Sequence, residues 1–144
     1  MRRMRFFAAA LYVAVALGAC AASAAPVTLT AALTAEEEAP TPGPAGAKGT
    51  AELNIDSAAG QLCYKLTHEG IGTPTAAHIH KGPAGVAGPV VVNFDYAANG
   101  DRACVSVNGS QLAGIVGDPG GHYVNIHTAD YPQGAIRGQL TSSS

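Results

Sequence analysis

From residue 27 onward, apolar and polar positions alternate in short runs broken by Gly, Pro, Asn and Asp. Val27, Leu29, Ala31 and Leu33 fall on one face of a first strand. Ala51, Leu53 and Ile55 alternate with Glu52, Asn54 and Asp56, a period of two that marks a half-buried strand. Ala58-Ala59-Gly60 turns the chain into Leu62, Tyr64 and Leu66, which oppose Cys63, Lys65 and Thr67. Further strands are expected at Ala76–Lys81, Val90–Tyr96, Ala103–Asn108, Tyr123–His127 and Ala135–Leu140. Asn99-Gly100 and Asp118-Pro119-Gly120-Gly121 read as turns. Pro40–Gly49 and Gly82–Pro89 read as Pro/Gly-rich loops. No stretch beyond residue 26 sustains a 3.6-residue apolar period, so no helix is expected there. About seven or eight short strands with frequent turns predict an all-β fold, a Greek-key sandwich or barrel.

The N-terminus follows a different pattern. Arg2, Arg3 and Arg5 precede an apolar run from Phe6 to Ala19, then Ala21-Ala22-Ser23-Ala24-Ala25. A basic start, a short apolar middle and a small-residue cleavage site make a secretory signal. The run is shorter than the roughly 20 residues a membrane span needs. Two processing routes stay open. Cleavage at Ala22-Ser23-Ala24 gives a signal at 1–24 and a domain at 25–144. Leu17-Gly18-Ala19-Cys20 resembles a lipoprotein box, in which Cys20 carries a lipid anchor. Either route places the domain outside the cytoplasm: periplasmic, extracellular or held at the outer membrane as a lipoprotein.

With Cys20 assigned to the signal, Cys63 and Cys104 remain. An oxidising compartment makes a disulfide the default, and closing a loop of about 40 residues stabilises by roughly 3–4 kcal/mol. The alternative is a two-thiolate metal site. Both cysteines lie opposite the apolar faces of their strands, so a bond between them would sit outside the core. The chain has a net charge of −2 and no basic stretch after the signal, which excludes nucleic acid as a partner class. Glu36-Glu37-Glu38 reads as a solvated loop.

The candidate chemistry lies in the histidines. His78 and His80 are two apart on an expected strand, so both leave one face, roughly 6–7 Å apart. If Val124 and Ile126 face the core, His127 points outward as they do. Should the two strands be neighbours, three imidazoles share a polar face, a set that suits copper, zinc or nickel. Three surface histidines bound only to loops are the plainer alternative. His122 and His68 are expected to be structural, with either available as a fourth ligand if a bulge or loop re-aims it. Arg137 faces outward and either guides an anion to the site or pairs with Asp130 or Asp95. No nucleophile motif, phosphate loop or paired carboxylate is present.

Four segments resemble the CHRD domain: Ala77-His78-Ile79-His80-Lys81-Gly82-Pro83-Ala84, Gly88-Pro89-Val90-Val91, Tyr123-Val124-Asn125-Ile126-His127-Thr128-Ala129, and Pro132-Gln133-Gly134-Ala135-Ile136-Arg137-Gly138-Gln139-Leu140. The resemblance runs from about Val27 to Leu140 and implies an extracytoplasmic β-barrel-like domain without a fixed activity. Gly49-Thr50-Ala51-Glu52-Leu53, Gly60-Gln61-Leu62 and His78-Ile79-His80 are more distantly similar to copper–zinc superoxide dismutase. That likeness implies a superoxide-dismutase-like barrel with copper on the H-x-H and on a later histidine, here His127. An immunoglobulin-like sandwich is the other Greek-key form the pattern allows. The sequence departs from the dismutase pattern in lacking the bridging histidine and the zinc loop. The expected function is therefore a non-enzymatic, exported copper-binding domain, with zinc as second metal. The alternatives are an adhesion module that meets an extracytoplasmic protein without metal, and a copper-dependent dismutase-like enzyme.

Overall fold

Alternation along each strand becomes a two-faced sheet in the computed structural model, which describes residues 24–143. The strands are β1 Val27–Thr34, β2 Lys48–Asp56, β3 Gln61–Glu69, β4 Pro74–Lys81, β5 Val90–Asn93, β6 Arg102–Ser106, β7 His122–Thr128, β8 Ile136–Gln139 and β9 Thr141–Ser142. They form one nine-stranded sheet in the order β5-β4-β7-β8-β1-β2-β3-β6, with β9 added on β1. Every pairing is antiparallel. The sheet curls into a half-barrel around Leu29, Leu33, Leu53, Ile55, Leu62, Ile79, Val124, Ile126 and Ile136, each nearly fully buried. The all-β expectation holds.

The two edge strands lie at opposite ends of the sheet order, and aromatic packing draws the chain near them together. Tyr64 stacks on Phe94 with ring centroids 4.4 Å apart. The Tyr64 hydroxyl faces the carbonyls of Phe94 and Gly100 at 3.1 and 3.0 Å. Asn99-Gly100 is therefore a turn, but it leads from one edge of the sheet to the other.

Helices follow residue 26, contrary to the expectation from periodicity. The first, α1 Tyr96–Asn99, is a single turn. It cuts short the strand expected to reach Tyr96. Asn93 Oδ1 accepts the Asp95 amide at 2.9 Å, and Asp95 takes a left-handed backbone with φ 50°. The second, α2 Gly109–Gly117, is capped by Asn108, whose side chain accepts from the amides of Ser110 and Gln111. It buries Leu112 and Ile115 in the core, with Val116 packed beside them. Three apolar positions over little more than one turn leave almost no periodic signal. A 3-10 turn, Pro119–Gly121, then leads into β7.

Cys63 and Cys104 are directly opposed in the β3–β6 register and form a disulfide on the outer face. This removes the two-thiolate alternative. The basic start, the apolar run, Cys20 and the cleavage site through Ser23 lie outside the described residues. Among the described residues, no helix is long and apolar enough to cross a membrane.

Candidate metal centre

The pairing of β4 with β7 sets the site. In its register His80 opposes Tyr123, His78 opposes Asn125 and Ala76 opposes His127. Ile79, Val124 and Ile126 anchor these strands from the inner face, each 0% exposed. Side chains of the opposite parity must then leave by the outer face. His78, His80 and His127 converge there, with one ring nitrogen from each lying within 4.8 Å of the other two. The shortest approach is 3.0 Å, between His78 Nδ1 and His127 Nε2. Ring centroids are 4.9 Å apart for His78 and His127, 5.6 Å for His78 and His80, and 6.2 Å for His80 and His127.

Backbone carbonyls fix two of the tautomers. His80 Nδ1 donates to the Gly88 carbonyl at 2.8 Å, and His127 Nδ1 donates to the Pro132 carbonyl at 3.0 Å. In the neutral rings each Nε2 is then a bare lone pair turned into the cluster. His80 Nε2 is buried and has no hydrogen-bond partner. An orphaned buried acceptor costs about 1–3 kcal/mol, and a cation shared with two neighbouring imidazoles would satisfy it. The residues present fit a transition-metal ion on this ground.

The loop Gly82–Pro89 folds over the outer face and holds the His80 ring. The Gly88 amide donates to the Tyr123 hydroxyl at 3.0 Å, while the Gly88 carbonyl receives His80. A Cβ at position 88 would overlap the Lys81 carbonyl oxygen, so only glycine allows this approach. His80 stacks on Tyr123, with centroids 4.8 Å apart and planes 10° from parallel. Gln139 Nε2 donates to the carbonyls of Gly82, Gly120 and His122 and ties this loop to the turn before β7.

Arg137 faces outward as expected, yet it is 1% exposed because the same loop covers it. Its guanidinium donates to the Val86 carbonyl at 2.9 Å and the Pro83 carbonyl at 2.7 Å. It forms no ion pair with Asp130 or Asp95. Buried in this way, it clamps the loop and presents no charge to an approaching anion.

His122 and His68 do not join the cluster. His122 has the inward parity of Val124, and its Nδ1 donates to the Asp118 carbonyl at 2.8 Å. His68 stands on β3, separated from β7 by β8, β1 and β2, with Nε2 3.3 Å from the Asp101 carboxylate. Neither is grouped with His78, His80 and His127.

The electrostatics keep the triad neutral. Burial, with repulsion from His127 and His80, lowers the His78 pKa to about 4. Burial lowers His80 and His127 as well. Neutral imidazole is the form that binds metal. His78 also lines a groove of about 470 Å³ with Asn93, Asp95, Tyr96 and Asn99, which gives the cluster an opening to solvent.

Two residues of the site were not anticipated. Asn125 is 2% exposed, and its side-chain oxygen lies 3.0 Å from His127 Nε2. The facing rule that selected His127 selects Asn125 too, two positions earlier. Glu38 is 6% exposed, although Glu36-Glu37-Glu38 reads as solvated and its first two members are exposed. Burial raises the Glu38 pKa to about 7, against the opposing pull of Arg137, the Ala39 amide and the Asn125 amide. The sequence carries no signal for that burial, which depends on how the loop after β1 lies across the sheet.

No curated protein and no solved structure matches the chain. The family model described as the CHRD domain matches residues 29–140, from the core of β1 to the end of β8. With most of its length matched, including both histidine strands and the loop that clamps them, the chain belongs to the CHRD domain family.

Proposed function

We propose that this CHRD domain binds a single transition-metal ion, copper(II) in preference to zinc, through His78, His80 and His127. The observation that carries the reading is the buried, unpartnered Nε2 of His80, facing two further imidazoles. Among divalent ions, affinity for nitrogen donors peaks at copper(II). Support for the rings by Gly88 and Pro132 carbonyls is the outer-shell arrangement that orients metal-binding histidines. The domain works outside the cytoplasm, a reading supported by the expected signal at 1–24 and by the Cys63–Cys104 disulfide. There it holds the ion and hands it on rather than running a reaction.

The test is a calorimetric titration of the purified chain with copper(II) and with zinc. One equivalent of copper(II) should bind, and more tightly than zinc. Replacing His78, His80 and His127 together by alanine should abolish that binding. Equal binding by the triple variant would sink the reading.

A further inference from the structure

Asn125 stands in the same outward row as the histidines, opposite His78 on β4 and two residues before His127 on β7. Its Oδ1 and His127 Nε2 are 3.0 Å apart. The His127 proton is on Nδ1, which donates to Pro132, so two lone-pair atoms face each other. Two acceptors at that distance repel unless the amide turns over to present its NH2 or a cation lies between them. Donors each about 2.1 Å from one ion sit roughly 3.0–3.4 Å apart at square or tetrahedral angles. The separation observed is that of two ligands of one metal.

The Glu38 carboxylate neighbours the Asn125 side chain, whose hydrogen bonding opposes the rise in the Glu38 pKa. Gly134 leaves the room that carboxylate occupies, since a Cβ there would overlap both of its oxygens. Glu38 Oε1 is buried without a hydrogen-bond partner.

We propose that Asn125 supplies the fourth metal ligand through Oδ1, with Glu38 as the positioning residue that orients its amide. This rests on the three-histidine reading. It makes the site three nitrogens and one neutral oxygen, with His122 and His68 playing no part. With four protein donors the ion would need no water oxygen in its equatorial plane.

The test is copper(II) binding to the whole chain, read by titration and by pulsed electron paramagnetic resonance in water enriched in oxygen-17. The parent should bind one ion without a strongly coupled water oxygen in the equatorial plane. Asn125→Ala should bind about ten- to a hundredfold more weakly and acquire that coupling. Asn125→Asp keeps an oxygen at the position and should exclude the water again, which separates ligation from a folding defect. Glu38→Leu should admit water although no ligand has changed, and Glu38→Gln, which keeps an acceptor for the amide, should exclude it. An equatorial water already present in the parent and unchanged in Asn125→Ala overturns the proposal and leaves the histidine site standing. A parent that binds no copper(II) overturns both.

Discussion

The Arg137 guanidinium carbon lies 3.4 Å from the centre of the Tyr123 ring, the ring on which His80 also stacks. A cation on an aromatic face contributes up to about 2 kcal/mol when both are desolvated. Here it links the clamp on the Gly82–Pro89 loop to the orientation of a candidate ligand. Arg137 reaches the Pro83 and Val86 carbonyls with two separate nitrogens, a geometry lysine does not reproduce. Arg137→Lys should destabilise the domain by about 2–3 kcal/mol, through lost hydrogen bonds and unsatisfied carbonyls. Denaturant unfolding measures this. A change below about 0.5 kcal/mol would show that the clamp is not energetically important.

Gly88 holds His80 from the other side. Any Cβ there displaces the loop from the Lys81 carbonyl and carries the Gly88 carbonyl away from His80 Nδ1. Gly88→Ala should therefore lower copper(II) affinity by about ten- to a hundredfold while all three histidines remain. Gly120→Ala is the control, because a Cβ at that position meets nothing within 4 Å. Parallel titrations of the two variants give the comparison, and equal affinities would mean that the Gly88 contact does not orient the ring.

Much of this architecture is legible in the sequence because it repeats every two residues. The inward sets Ala51/Leu53/Ile55 and Leu62/Tyr64/Leu66, and the shared face of His78 and His80, follow from strand geometry alone. What alternation does not supply is which strands are neighbours. The meeting of His127 with His78 depends on β4 pairing with β7, about fifty residues away in sequence. Nor does it tell whether an outward face meets water. Arg137 and Asn125 point away from the core and are still buried, because loops 35–47 and 82–89 lay a second polar layer over β4, β7 and β8. The helix α2 escapes the pattern for a different reason: its nine residues bury only Leu112 and Ile115, too few positions to show a period.

The disulfide sits on the other half of the sheet, between β3 and β6. Replacing Cys63 and Cys104 together by serine opens a loop with a sequence separation of 41 and should cost about 3–4 kcal/mol. Copper(II) affinity of the folded variant should not change, since β8, β1 and β2 stand between the bond and β7. Unfolding and titration of the same sample check both halves. A large loss of affinity in protein that is still folded would contradict the separation of staple from site.

Acid should act on the domain through two opposed groups. The His78 pKa falls from its ordinary 6.5 to about 4 in the fold, and His80 and His127 are lowered too. As pH drops from about 6.5 towards 4, the unfolded chain gains protons that the folded triad refuses, so stability falls with pH. Glu38 works the other way. Its pKa rises from 4.5 to about 7, so between those values the folded chain holds a proton the unfolded chain has released, and stability falls as pH rises. Three lowered imidazoles outweigh one raised carboxyl, so the metal-free domain should lose stability on acidification from pH 6.5 to 4.5. Glu38→Gln removes the opposing contribution and should make that loss steeper, a difference in slope that unfolding measured across the window will show. Metal binding follows the folded-state values alone. A site of ordinary exposed imidazoles would weaken below about pH 6; with all three lowered, copper(II) affinity should persist below that pH. Titrations at pH 7, 6, 5 and 4 decide it, and a steep loss already at pH 6 would mean the imidazoles titrate as exposed groups do.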